Sequence, residues 1–195
     1  KEGGNVILPA FFVPGEPYGN PDKPLPDYMR ANRITAVQQS ANNAGAPIIA
    51  IQGLAPVAGI GDQALAIGAL AQSPDPDGGL RADPLVIAYY EGSDVYGWYP
   101  SFALQIAAAS LNLTVDDIKV TLGEGVQLGR LNIGTDSEMR MLSFFYSDGA
   151  GGSAFKPDSF FDVATGAIKL DKYKDKIVLL GPTAKGLGDS FSTPV

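Results

Sequence analysis

The chain has 195 residues, 45% of them hydrophobic, with 21 acidic side chains against 14 basic ones, a formal net charge of −7, and neither Cys nor His. That length buries one sizeable core as a single domain. The scattered basic residues exclude a nucleic-acid face, and the missing Cys and His exclude thiolate and imidazole nucleophiles and the zinc sites built from them.

The start at Lys1-Glu2-Gly3-Gly4, without Met, reads as a piece of something longer. Val6 to Val13 is apolar except at Pro9 and predicts a strand whose proline sits near an edge or an end. Beyond the Pro/Gly-rich segment 14–26, Asp27 caps a predicted helix to about Asn43, with Met29, Ile34, Val37 and Ala41 on one face and Gly45 as its stop. Ala46 to Gly61 carries no charge, but its prolines and glycines rule out a membrane span; it reads as a buried strand over Pro47 to Gln52 followed by a short helical turn.

Gln63 to Ala71 is assigned as a strand, able to pair with Pro84 to Tyr90 as a hairpin across the turn Pro74 to Gly79. Tyr99-Pro100-Ser101 opens a buried helix over Phe102 to Leu111, with Pro100 in the first turn. Glycines at 123, 125, 129 and 134 punctuate a meander from Ile118 to Tyr146, with Met139 to Tyr146 as its strongest strand. Asp158 or Ser159 caps a short helix to about Ala164. The last apolar run, Ile177 to Leu180, reads as a fully buried parallel strand that delivers the loop Gly181 to Asp189 to one edge of the sheet. The fold class is therefore α/β, a mixed β-sheet with packed helices in one α/β sandwich.

The chemistry-bearing groups are few. The loop after Leu180 lacks the Gly-Lys-Ser/Thr ending of a phosphate loop and reads as a packed connection in which Asp189 bonds neighbouring amides. Asp75, Asp77 and Asp83 lack the ligand alternation of a calcium loop and read as turn residues, so no metal site is assigned. Tyr96, Trp98 and Tyr99 form an aromatic cluster suited to a core or to a pocket wall.

Asp77-Gly78-Gly79-Leu80-Arg81, Pro84-Leu85 and Tyr99-Pro100-Ser101-Phe102-Ala103-Leu104 follow one another in an order that resembles the type-two CHASE domain, with its Asp-Gly-x-x-Arg, Pro-Leu and Tyr-Pro-Ser-hydrophobic succession. Lys176-Ile177-Val178-Leu179-Leu180-Gly181, Gly186-Leu187-x-Asp189 and Thr193-Pro194 resemble the family's closing pattern. The likeness runs from about Asn5 to Val195, and the strand and helix that normally precede the Val6 strand in the family are absent from the sequence.

The resemblance implies a non-enzymatic sensory domain over residues 1–195, extracytoplasmic and tethered to the membrane in the full-length protein. It also implies a homodimer that controls a cytoplasmic adenylate cyclase or histidine kinase, with no cofactor. Such a domain acts by binding differently in two states and passing the difference through its termini. Arg81, Trp98, Tyr99, Lys185 and Asp189 are the candidate residues for an unknown small ligand or ion. Two other readings stand beside this one: a passive dimerisation domain without a ligand, and a carboxylate-based hydrolase, which would need two of Asp75, Asp77 and Asp189 to converge in a cleft.

Overall fold

The structure is a computed structural model that describes residues 4–16, 24–91, 94–147, 149 and 154–182, with only the backbone described at 91 and 94–96. In chain order it runs β1 (Ile7–Pro14), β2 (Ala36–Gln39), β3 (Ile48–Leu54), α1 (Ala58–Gly61), β4 (Ala66–Leu70), β5 (Ala82–Pro84), β6 (Val86–Glu91) and β7 (Asp94–Pro100). It continues with α2 (Phe102–Ser110), β8 (Ile118–Leu122), β9 (Gly125–Leu128), β10 (Leu131–Gly134), β11 (Arg140–Leu142) and α3 (Phe160–Ala164). The strands form a five-stranded sheet β4-β1-β3-β6-β7, a four-stranded sheet β10-β9-β8-β2 and the pair β11-β5. Parallel pairs (β1 with β4, β3 with β6, β2 with β8) stand beside antiparallel ones (β1 with β3, β6 with β7), which gives the mixed α/β architecture the sequence predicts.

Pro9 has no N–H to give a ladder, and β1 tolerates it because β3 pairs only with Phe11 to Pro14, which leaves Pro9 a neighbour on the β4 side alone. The outer edge of β4 is closed by side chains. The Ile67 N–H donates to Asn32 Oδ1 at 2.7 Å, and the Ile67 carbonyl accepts from Gln105 Nε2 at 3.2 Å. Both amides are buried, so each backbone group finds a partner that water cannot supply there. Next along the strand, Gly68 lies so close to the start of α2 that a Cβ would stand 2.4 Å from Phe102 Cα, and Ala69 bridges Ser101. The Ser101 hydroxyl then accepts from the Leu104 N–H at 3.1 Å and caps α2.

Strand alternation places two cores on either side of β6 and β7. Ile87, Tyr89 and Tyr99 join Ala10, Phe12, Met29, Ala50 and Ile67 on one side. Phe12 is the centre of an aromatic group there, with ring centroids 5.2 Å from Tyr99 and 5.7 Å from Tyr89. Val86 and Trp98 face the other way, into a second core built by Leu104 and Ala108 of α2 and by Ile118, Val120, Val126 and Leu128 of the four-stranded sheet. The shared strands bind the two sheets into one body.

Several predicted elements differ. The helix expected from Asp27 to Asn43 ends at Asn32 as a 3-10 turn. Ile34 bridges Trp98, and Val37 lies in β2 against Val120, because β-branched residues gain more from a sheet partner than from another helical turn. The expected hairpin does not form, since β4 pairs with β1 and β6 hairpins with β7. Pro100 ends β7 rather than entering α2, whose N-cap is Ser101. Met139 to Tyr146 shortens to the three residues of β11, and Phe144 and Tyr146 are exposed. Ile177 to Leu180 joins no sheet; these residues are 56–79% exposed, because an apolar run becomes a strand only where a ladder partner is free. The short helix over 160–164 forms as expected, with the Ser159 hydroxyl accepting from Asp162 N–H.

Asn32→Ala would strand a buried N–H and is expected to lower unfolding stability by about 1–3 kcal/mol in urea denaturation. Gly68→Ala is expected to lower the midpoint further through backbone overlap with Phe102, while Gly134→Ala, where a Cβ meets nothing, leaves it in place. Equal midpoints for all three variants would contradict the closed edge.

Candidate functional site

Among the described residues, Arg81, Trp98 and Tyr99 do not gather into one cleft. Arg81 sits on the surface in a turn where Gly78 takes φ +81, and its guanidinium donates to Asp77 through both terminal nitrogens and to Asp75 Oδ2 at 2.7 Å. The Arg81 bonds, followed by the Gly79 N–H, hold the Asp77 carboxyl well below the usual carboxylate range. Trp98 is half-buried against the second core and Tyr99 fully buried in the first, on opposite faces of β7. Lys185 and Asp189 lie outside the described residues.

A second ion cluster adjoins the first. Arg140 donates from Nε to Asp136 at 2.9 Å and lies 3.2 Å from Glu138. The bond to Asp136 raises the Arg140 guanidinium above its ordinary value, and the nearby Asp75 carboxylate adds to the rise. Half-buried Asp83, opposite Met141 in the β5–β11 pair, has its carboxyl pushed up by desolvation. Asp75 and Asp77 both face Arg81 rather than each other across a cleft, and among the described residues no group of acids is arranged to hold a metal ion.

A concave surface lies elsewhere, on the outward face of the four-stranded sheet, where a groove of about 500 Å³ opens. Ile118, Val120 and Leu122 of β8 and Val126 and Leu128 of β9 point into the core, so the intervening residues point out. Registration then lays two rows across the strands. One is Ala36–Lys119–Gln127–Asn132 and the other Gln38–Thr121–Gly125–Gly134. Gln38 Nε2 donates to Thr121 Oγ1 at 3.2 Å, and Gln127 Nε2 donates to the Gly129 carbonyl at 3.1 Å. At the β8–β9 turn the Ser40 hydroxyl donates to Glu124 Oε1. Sequence reasoning missed this site. The alternation Lys119-Val120-Thr121-Leu122 marks a half-exposed strand, but only the strand register brings Gln38, Lys119, Gln127 and Asn132 together.

Asp83 gives a test of the electrostatics. Its folded pKa stands above the unfolded value, so the native state binds the proton more tightly and loses stability as pH rises through the raised pKa. Asp83→Asn is therefore expected to raise the unfolding midpoint at pH 7. That gain should shrink as pH falls through the raised pKa toward the ordinary 3.8 and disappear below it; a gain independent of pH would contradict the assignment.

The sequence motifs acquire physical roles: Asp77 to Arg81 is the ion-paired turn, and Tyr99-Pro100-Ser101 is a core aromatic, a strand end and a helix cap. Neither the curated proteins nor the solved structures contain a match to the chain. The family model of the CHASE2 domain matches residues 4–195, the span over which the resemblance was drawn from these motifs. CHASE2 domains are extracytoplasmic sensory modules. With the match running from Gly4 to the last residue, the chain belongs to the CHASE2 domain family.

Proposed function

We propose that this domain is the signal-input unit of a membrane-bound bacterial receptor, reading a small ligand or ion outside the cytoplasmic membrane and controlling a cytoplasmic cyclase or kinase. The observation that carries the reading is the family match across residues 4–195. The fold supports it, because β6 and β7 contribute to both cores and a change on one sheet is felt by the other through shared packing. Among the described residues no helix is long and apolar enough to cross a membrane, so the tether we propose lies outside them. Among the described residues a carboxylate hydrolase gains no support, since Asp75 and Asp77 are both tied to Arg81; Asp189, its third candidate acid, lies outside them. Ligand contact by the exposed Arg81 would compete with its ion pairs to Asp75 and Asp77, and contact by the buried Tyr99 would require separation of β7 from a core, whereas half-buried Trp98 keeps part of its surface open.

A homodimer belongs to the same proposal. Exposed Phe11, Leu54, Val57 and Ile60 line an apolar groove of about 300 Å³ beside β1 and α1, a surface suited to assembly. If this surface pairs two copies, Phe11→Asp with Ile60→Asp is expected to convert a dimer to a monomer in analytical ultracentrifugation without changing the far-ultraviolet circular dichroism spectrum. A dimer that survives both changes would place the contact elsewhere.

Location is tested through the absence of cysteine from the chain. Arg130→Cys puts a thiol on the exposed β9–β10 turn. In intact cells producing the full receptor, a membrane-impermeant maleimide is expected to label this variant above the unsubstituted control. Labelling only after lysis would overturn the extracytoplasmic placement.

A further inference from the structure

The outward groove of the four-stranded sheet has features that a merely solvated sheet face does not need. Its one lysine, Lys119, and its one carboxylate, Glu124, stand toward different ends. Between them the uncharged polar side chains of Gln38, Thr121, Gln127 and Asn132 alternate with apolar lining from Val37, Val126 and Ile133. Ala36, Gly125 and Gly134 remove side-chain bulk from the two cross-strand rows and leave the hollow.

We infer that this groove binds a short zwitterionic ligand of the peptide class, a di- or tripeptide with free termini, and that it is the input site of the sensory function proposed above. The carboxylate of such a ligand pairs with Lys119 Nζ, which no ion pair engages among the described residues, and its ammonium pairs with Glu124. The Ser40 hydroxyl occupies only Glu124 Oε1, so Oε2 remains for the ligand. The spacing fits. Lys119 and Leu122 are about 10 Å apart along β8 and Glu124 stands on the turn that follows, a span that an extended tripeptide of roughly 10 Å covers with the reach of the lysine side chain.

Hydrogen bonding suits a peptide backbone. Gln38 and Gln127 each commit one Nε2 proton internally, to Thr121 and to the Gly129 carbonyl, which fixes the amide and leaves Oε1 as an acceptor and the second Nε2 proton as a donor. An acceptor and a donor on each amide match the alternating N–H and C=O groups of a peptide. The volume, about 500 Å³, lies within the range of small-molecule sites.

The test is calorimetric titration of the 195-residue chain with trialanine and with N-acetyl-trialanine amide, which lacks both terminal charges. Trialanine is expected to bind saturably, with Lys119→Gln and Glu124→Gln each weakening it about tenfold and the blocked peptide binding more weakly than either. Both variants keep the unfolding midpoint, since Gln at 124 still accepts from Ser40. No saturable heat with trialanine up to about 10 mM overturns the inference. So does trialanine binding that ignores both substitutions, or saturable binding of gluconate in its place. Failure here is separable from failure of the sensory reading: a receptor labelled from outside the cell that binds no trialanine keeps its placement and loses this site.

Discussion

Two hydrogen bonds to one residue, Ile67, close the first sheet. Without the Asn32 carbonyl on its N–H and the Gln105 amide on its carbonyl, β4 would be an open edge with unpaired backbone groups against apolar surroundings. The closure also fixes the neighbours. Asn32 terminates the 3-10 turn that lays Met29 into the first core, and Gln105 holds α2 against β4 while Leu104 and Ala108 on another face of the helix enter the second. The glycine at 68 lets the helix start touch the strand backbone.

From that closure the rest follows in order. With α2 fixed, the four-stranded sheet has a surface on which to bury Ile118, Val120, Val126 and Leu128, and burying them turns Lys119, Thr121 and Gln127 outward. The groove is thus the reverse side of the second core, and its shape depends on how that core is packed. In a densely packed interior a small displacement of β8 or β9 is passed to Leu104 and Ala108 rather than absorbed.

Much of the fold was legible because local patterns agreed with it. The uncharged run before Gly53 made β3, the apolar run from Phe102 made α2, and the glycine-spaced meander made β8 to β10. What escaped depended on partners far away in sequence. Ile34 to Gln39 looked helical until β8, more than 80 residues on, offered a parallel ladder. Ile177 to Leu180 looked like a buried strand because apolarity shows a need for cover without supplying it. Trp98 and Tyr99 read as core more readily than as pocket walls, and the structure packs them against the two cores on opposite faces of β7. The groove was illegible, since its residues come from four strands whose register no local pattern encodes.

The central proposal is that this CHASE2 domain lies outside the cytoplasmic membrane and sets the output of a cytoplasmic enzyme domain. It is tested most directly by Gly68→Val in the full-length receptor, which drives a side chain into the Phe102 backbone and disrupts the closure at β4 without touching any other domain. Cyclase or kinase output is measured in membranes holding equal amounts of the variant and the unaltered receptor. The account predicts an output that shifts and no longer responds to conditions outside the membrane. An unchanged, still responsive output would contradict it.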